Sequence, residues 1–112
     1  MNPQKTAFVR STLTVKSIPG QREALLTAFF KRRVLEECQE TMPGFVSAEV
    51  LASLIDADEV QVSVLWRDQN AWKAWQDSPA RLQQAHDLAP LLACTPQGQL
   101  YALAGNFIHQ GC

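Results

Sequence analysis

Three tryptophans, Trp66, Trp72 and Trp75, stand within ten positions of one another. With Phe29, Phe30 and Tyr101 they supply the kind of aromatic surface that walls a pocket for a flat ligand. His86 carries an imidazole, the side chain most often used as a general base. Ser11, Arg81 and Asn106 can donate hydrogen bonds to a developing negative charge. A base and a donor facing one aromatic pocket would be enough for proton-transfer catalysis. Each residue also has a plainer reading. Trp66 shares a strand face with Val60, Val62 and Val64, which places it first in the core. Phe29 and Phe30 sit at core spacing. His86 follows the polar run Arg81-Leu82-Gln83-Gln84, where a solvated histidine is at home. Arg10, Thr12 and Thr14 form a polar strand face directed either to solvent or to a cavity.

Several chemistries lack their signatures. There is no Gly-x-Gly-x-x-Gly, no P-loop, no Cys-x-x-Cys and no metal-spaced His/Cys cluster, so neither a cofactor nor a metal is expected. The 112 residues are one domain's worth, a single core over about residues 7–108. A net charge of -1 gives no broad pull toward nucleic acid or an anionic membrane. The basic triplet Lys31-Arg32-Arg33 is offset by Glu36, Glu37 and Glu40. Met1-Asn2-Pro3-Gln4-Lys5-Thr6 has no apolar stretch like that of a signal peptide, and no run approaches the roughly 18 apolar residues of a membrane span. Cys38, Cys94 and Cys112 are odd in number and widely spaced, as free thiols in a reducing compartment would be. A cytoplasmic protein is expected.

The elements that must position these residues follow from periodicity. Ala7 to Val15 alternates, with Ala7, Val9, Ser11, Leu13 and Val15 on one face, and reads as a strand. Ser17-Ile18-Pro19-Gly20 breaks it. Gln21 to Glu40 reads as one long helix, because Leu26, Phe30, Val34 and Cys38 recur every four residues. Met42-Pro43-Gly44 ends that helix. Phe45 to Leu54 and Glu59 to Trp66 read as strands joined through the polar turn Asp56-Ala57-Asp58. Asp68 is placed to cap a helix from Gln69 to Gln76. Ser78-Pro79 restarts a helix that runs to about Leu88. Leu100 to Ile108 alternates as a last strand.

The order β-α-β-β-α-β is the split βαβ arrangement, an α+β, ferredoxin-like fold. Right-handed crossovers place both helices on one face of a four-stranded antiparallel sheet. The other face is expected to be small and apolar, and a second copy of the chain is its expected cover. The fold also brings the end of the third strand near the second helix. A pocket is therefore expected among Trp66, Trp72 and Trp75, with Phe30 and Val34 as its opposite wall. His86 or Ser11 would touch the ligand there.

Pro43-Gly44-Phe45, the strand end Val64-Leu65-Trp66 and the segment from Trp66 through Trp72 and Trp75 to Ser78-Pro79 together resemble the antibiotic biosynthesis monooxygenase (ABM) family. The resemblance runs from the first strand to about His86. It implies a dimeric α/β barrel in which two sheets pack face to face, with a ligand cavity between sheet and helices. It also implies a cofactor-independent monooxygenase acting with dioxygen on a small aromatic substrate such as a phenol, hydroquinone or polyketide. Some members instead degrade haem, and others are non-catalytic binding dimers. The haem-degrading branch uses an Asn on the first strand, a Trp on the second helix and a His ten residues after that Trp. Ser11 stands at the first position, Trp75 at the second and, without a gap, Ala85 at the third; one insertion where the helix restarts would bring His86, one residue beyond, into that place.

Overall fold

The structure is a computed structural model that describes residues 8–107. Ala7 and Ile108, the outer ends of the two terminal strands expected from the sequence, lie outside the described residues, as do His109 and Cys112. The chain runs β1 (Val9–Lys16), α1 (Arg22–Lys31), α2 (Val34–Thr41), β2 (Phe45–Ala52), β3 (Glu59–Trp66), α3 (Gln69–Gln76), α4 (Pro79–Leu88), a 3-10 turn (Ala89–Leu91) and β4 (Gln97–Ala102). The four strands form one sheet in the order β2-β3-β1-β4, with every pair antiparallel. This is the ferredoxin-like fold that the alternation implied.

Strand register decides which side chains meet the helices. Val9 pairs with Trp66, Ser11 with Val64, Leu13 with Val62 and Val15 with Val60. Successive side chains of a strand point to opposite faces. Val9, Val15, Val60, Val62, Val64 and Trp66 therefore share the helix-facing side, and all are buried. The opposite face carries Arg10, Thr12 and Thr14 of β1, Gln61, Ser63 and Leu65 of β3, and Gln99 and Tyr101 of β4. That face is mainly polar, contrary to the apolar surface expected from the sequence. Arg10 even spans two strands there, donating to Ser63 Oγ at 2.7 Å.

The expected long first helix is broken. Arg33 has φ 56°, in the left-handed region, and separates α1 from α2. The break turns α2 so that Val34 and Cys38 both bury. Periodicity alone did not reveal it, because Arg33 is a good helix former. The last strand also differs. It starts at Gln97, opposite Thr14, and ends at Ala102, opposite the first residue of β1.

The second helical region follows its caps. Asp68 Oδ1 accepts from Ala71 N at 2.8 Å, and Ser78 Oγ accepts from Ala80 N at 3.2 Å with Pro79 in the first turn. Gly44 is required by close approach, since a Cβ there would lie 2.3 Å from Ala71 Cβ. The Pro-Gly-Phe turn thus admits α3 against the start of β2.

Glycine carries no penalty in the left-handed region, which costs other residues about 1–2 kcal/mol. The Arg33–Glu40 ion pair lost with Arg33 is exposed and worth little. Arg33→Gly is therefore expected to leave stability unchanged or raise it by up to about 1 kcal/mol in urea denaturation. In an unbroken helix the same change would cost about 1 kcal/mol.

Candidate functional site

The core is divided. One cluster gathers Val9, Cys38, Val62, Val64 and Trp66, with Trp72, Trp75 and Leu100 packed against it. The other gathers Val15, Leu25 and Val60, with Leu91 and Leu92 beside them. Between the two on β1 stand Ser11 and Leu13. Leu13 is on the helix-facing side of a central strand yet is 40% exposed, while Val9 and Val15 on the same side are 7% and 8%. Across the β4 pairing Leu13 faces Gly98, which is exposed, and Ser11 faces Leu100, which is half-buried. The helices leave a shelf here, floored by Ser11, Leu13, Gly98 and Leu100.

A polar lock fixes the helical layer. Helix α4 packs on α1 and α2. Gln84, 4% exposed, donates to Val34 O at 3.2 Å and to Glu37 Oε1 at 2.7 Å. Arg32 bridges Glu37 and Asp87. The Gln84 amide and then the Arg32 guanidinium hold the Glu37 carboxyl below its ordinary range. Gln83 and then Arg32 do the same for Asp87. These bonds hold α4 against α1 and α2.

The polar feature of the shelf is a single hydrogen bond. Trp66 is fully buried and its Nε1–H donates to Ser11 Oγ at 2.9 Å. An indole nitrogen can only donate, so the Ser11 oxygen is fixed as its acceptor. The Ser11 hydroxyl proton remains available to a ligand, since no other side-chain hydrogen bond of Ser11 is formed among the described residues.

The expected site residues divide into groups. Ser11 and Trp66 are joined directly, and Trp72 and Trp75 are half-buried at that end of the core. Trp66 is a core residue rather than a wall. Val34 is buried at the start of α2, and Phe30 is 58% exposed on α1. These two are not gathered with the tryptophans around one cavity. Arg81 is half-buried on α4. His86 is exposed and lies about 200° around α4 from the inward Gln84, at 3.6 residues per turn. Asn106 is exposed beyond the end of β4, and Tyr101 faces the opposite side of the sheet from Leu100.

A second recess was not foreseen. It measures about 340 Å³ and is lined by Phe29, Phe30, Leu35, Glu36, Gln39, Phe45 and Ala48, between the α1–α2 corner and the edge strand β2. Its recognition depended on the break at Arg33, for which the sequence carries no signal. Cys38 is no nucleophile, because burial pushes its thiol up to about 12. Among the described residues no group of three or more His, Cys, Asp or Glu could hold a metal ion, and no helix is long and apolar enough to cross a membrane.

The fold and the Pro-Gly-Phe and Trp-bearing segments agree with known proteins. The model of the antibiotic biosynthesis monooxygenase family matches residues 8–87. The chain belongs to this family. Among curated relatives of this ABM chain, a haem-degrading monooxygenase of Bacillus thuringiensis subsp. konkukian is 36% identical over 77 residues, 67% of each protein. One of Bacillus cereus (strain AH187) is 37% identical over 71 residues, 62% of this chain and 63% of the relative. The ABM chain thus spans about two thirds of the length of these relatives. Among solved structures, a variant of SnoaB, a cofactor-independent oxygenase of Streptomyces nogalater, superposes with a TM-score of 0.73 at 18% identity, covering 91% of this chain and 98% of that one. Rv0793 of Mycobacterium tuberculosis gives 0.73 at 18%, covering 88% and 97%. At these identities the structural likeness shows the ABM fold.

The Trp66–Ser11 bond is expected to appear in a double-mutant cycle. Ser11→Ala leaves a buried indole N–H without an acceptor and should cost about 1–3 kcal/mol. Trp66→Phe should cost more, through lost volume. In the double variant the costs should fall short of additive by about 0.5–1.5 kcal/mol in urea denaturation. Strict additivity would show that the bond does not form.

Proposed function

We propose that this chain is a monooxygenase that oxidises a small phenol, hydroquinone or anthrone with dioxygen on the shelf beside Ser11. The observation that carries this reading is the gap in helix cover at Leu13, next to a serine whose hydroxyl is oriented by a buried indole. Leu13 and Leu100 offer an apolar floor, and Trp72 and Trp75 pack with Leu100 against the same core cluster. Such a floor suits one face of an aromatic ring. The Ser11 hydroxyl donates to the substrate oxygen and favours its anion, because a hydrogen bond to the charged form stabilises that form. The open side of the shelf lets water accept the proton, so His86 on the outer side of α4 has no necessary part.

The deprotonated ring carbon then reacts with dioxygen. For an anthrone, the ring CH₂ becomes C=O. One oxygen atom joins the carbon, the other leaves as water with two protons, and all four electrons come from the substrate. The chain's contribution is to bind the ring, hold its anion and exclude bulk solvent from one face.

The curated relatives favour a second reading, in which the substrate is haem. Against it, Ser11 stands where that branch has Asn, an ungapped match puts Ala85 in place of the His, and His86 is exposed. We infer in addition that the chain works as a homodimer. Phe8, Leu51, Leu65 and Tyr101 give the otherwise polar open sheet face some apolar surface to cover.

Oxygen uptake with a panel of hydroquinones and anthrones, with no cofactor added, tests the first reading. Turnover should fall roughly tenfold or more in Ser11→Ala, as for loss of a donor to a developing anion. Hemin should give no sharp histidine-ligated Soret band. Such a band, lost in His86→Ala, would make haem degradation the function. Sedimentation equilibrium at micromolar concentration should report twice the chain mass of 12.5 kDa, and a monomer would remove the dimer.

A further inference from the structure

The recess at the α1–α2 corner has no part in that reading, and its chemistry differs from that of the shelf. Three phenyl rings shape it. Phe29 and Phe45 pack against the core, and Phe30 stands edge-on to Phe29 with centroids 5.7 Å apart. Phe30 is nonetheless 58% exposed. A large aromatic held open beside a concavity of about 340 Å³ leaves a ring surface available to a ligand.

The polar lining is acidic. Helix α2 presents Glu36, Glu37 and Glu40. Arg32 and Gln84 engage Glu37, and Arg33 engages Glu40. Glu36 makes no ion pair or side-chain hydrogen bond among the described residues, and it lines the recess with Gln39 one turn further on. The neighbouring arginines are thus engaged elsewhere, Lys31 beside Phe30 is not among the lining residues, and Glu36 is the charged residue of the lining.

We propose that this recess binds a small organic monocation, an ammonium group carried on a single aromatic ring or a short alkyl chain. Charge selects the class. The ammonium forms a charge-assisted hydrogen bond to Glu36 and lies near the exposed phenyl face, where a ring quadrupole attracts cations. The apolar body fills the space between Phe30 and Phe45. An anion is repelled by Glu36, and a neutral hydrocarbon would strip water from that carboxylate without replacing it. Size selects further, because the volume is at the lower end of the 300–1,000 Å³ typical of ligand sites.

The test uses 2-phenylethylammonium chloride as the probe, followed by amide chemical shifts of the full chain. Neutral 2-phenylethanol and anionic 3-phenylpropionate serve as charge controls. Saturable shifts are expected around Phe30, Glu36, Gln39 and Phe45. The alcohol should bind at least tenfold more weakly, the carboxylate not at all. Glu36→Gln lies on an exposed helix position and should fold normally by circular dichroism. It should weaken the ammonium at least tenfold while leaving the alcohol unchanged. Phe30→Ala should weaken both. The proposal is overturned by equal affinity in Glu36→Gln, by shifts confined to Ser11, Leu13 and Leu100, or by no saturable binding at about 10 mM, where even a weak fragment registers.

Discussion

A buried indole N–H must find an acceptor, and in this protein nearly everything of functional interest depends on where Trp66 finds it. The ring is fully enclosed at the end of the central strand β3. Leaving its nitrogen unpaired would cost about 1–3 kcal/mol. Val9 and Ser11 are its neighbours on β1, and only the serine can accept. The bond that completes the core also sets the hydroxyl as a donor toward the shelf. On the proposed reading stability and chemistry share one contact, and exchanging the serine for an apolar residue would disturb both.

The shelf exists because the helices cover the sheet unevenly. The bonds of Gln84 and Arg32 fasten α4 to α1 and α2, and β4 is left with small or half-buried side chains at Gly98 and Leu100. The same corner, where Arg33 breaks the helix, opens the acidic aromatic recess over β2. The two concavities flank the first core cluster. One presents the Ser11 hydroxyl and is proposed to hold an anion; the other presents the Glu36 carboxylate and is proposed to hold a cation.

Much of this was legible from residue types. Alternation in Val9–Lys16 and Glu59–Trp66 announced the central strands, and the serine and aspartate caps at Ser78 and Asp68 announced α4 and α3. Pro43-Gly44-Phe45 marked the family, and Gly44 is there because Ala71 leaves no room for a side chain. The left-handed turn at Arg33 was not legible, because it is imposed by the burial of Val34 and Cys38 and not by the residue that adopts it. For that reason Glu36 and Gln39 were not recognised as lining anything. Ser11 is a candidate by residue type and lies beside Trp66. Spacing from Trp75 nominates His86, but the angular position of a residue on α4 depends on which face Gln84 turns inward. The polarity of the open sheet face depended on register: Leu65, an isolated apolar residue on β3, sits between Arg10 and Ser47.

The central claim is that a phenolic ligand lies on the shelf and takes its hydrogen bond from Ser11. Proton–nitrogen correlation spectra recorded while 4-nitrophenol is titrated into the protein report this directly. The Trp66 indole N–H resonance and the amides of Ser11, Leu13, Gly98 and Leu100 should shift together and saturate. The visible spectrum of the bound phenol should show it ionising at a lower pH than in free solution, with that displacement lost in Ser11→Ala. Shifts gathered instead at Phe30, Glu36 and Phe45, or a bound phenol that ionises at the same pH with and without the serine hydroxyl, would contradict the account.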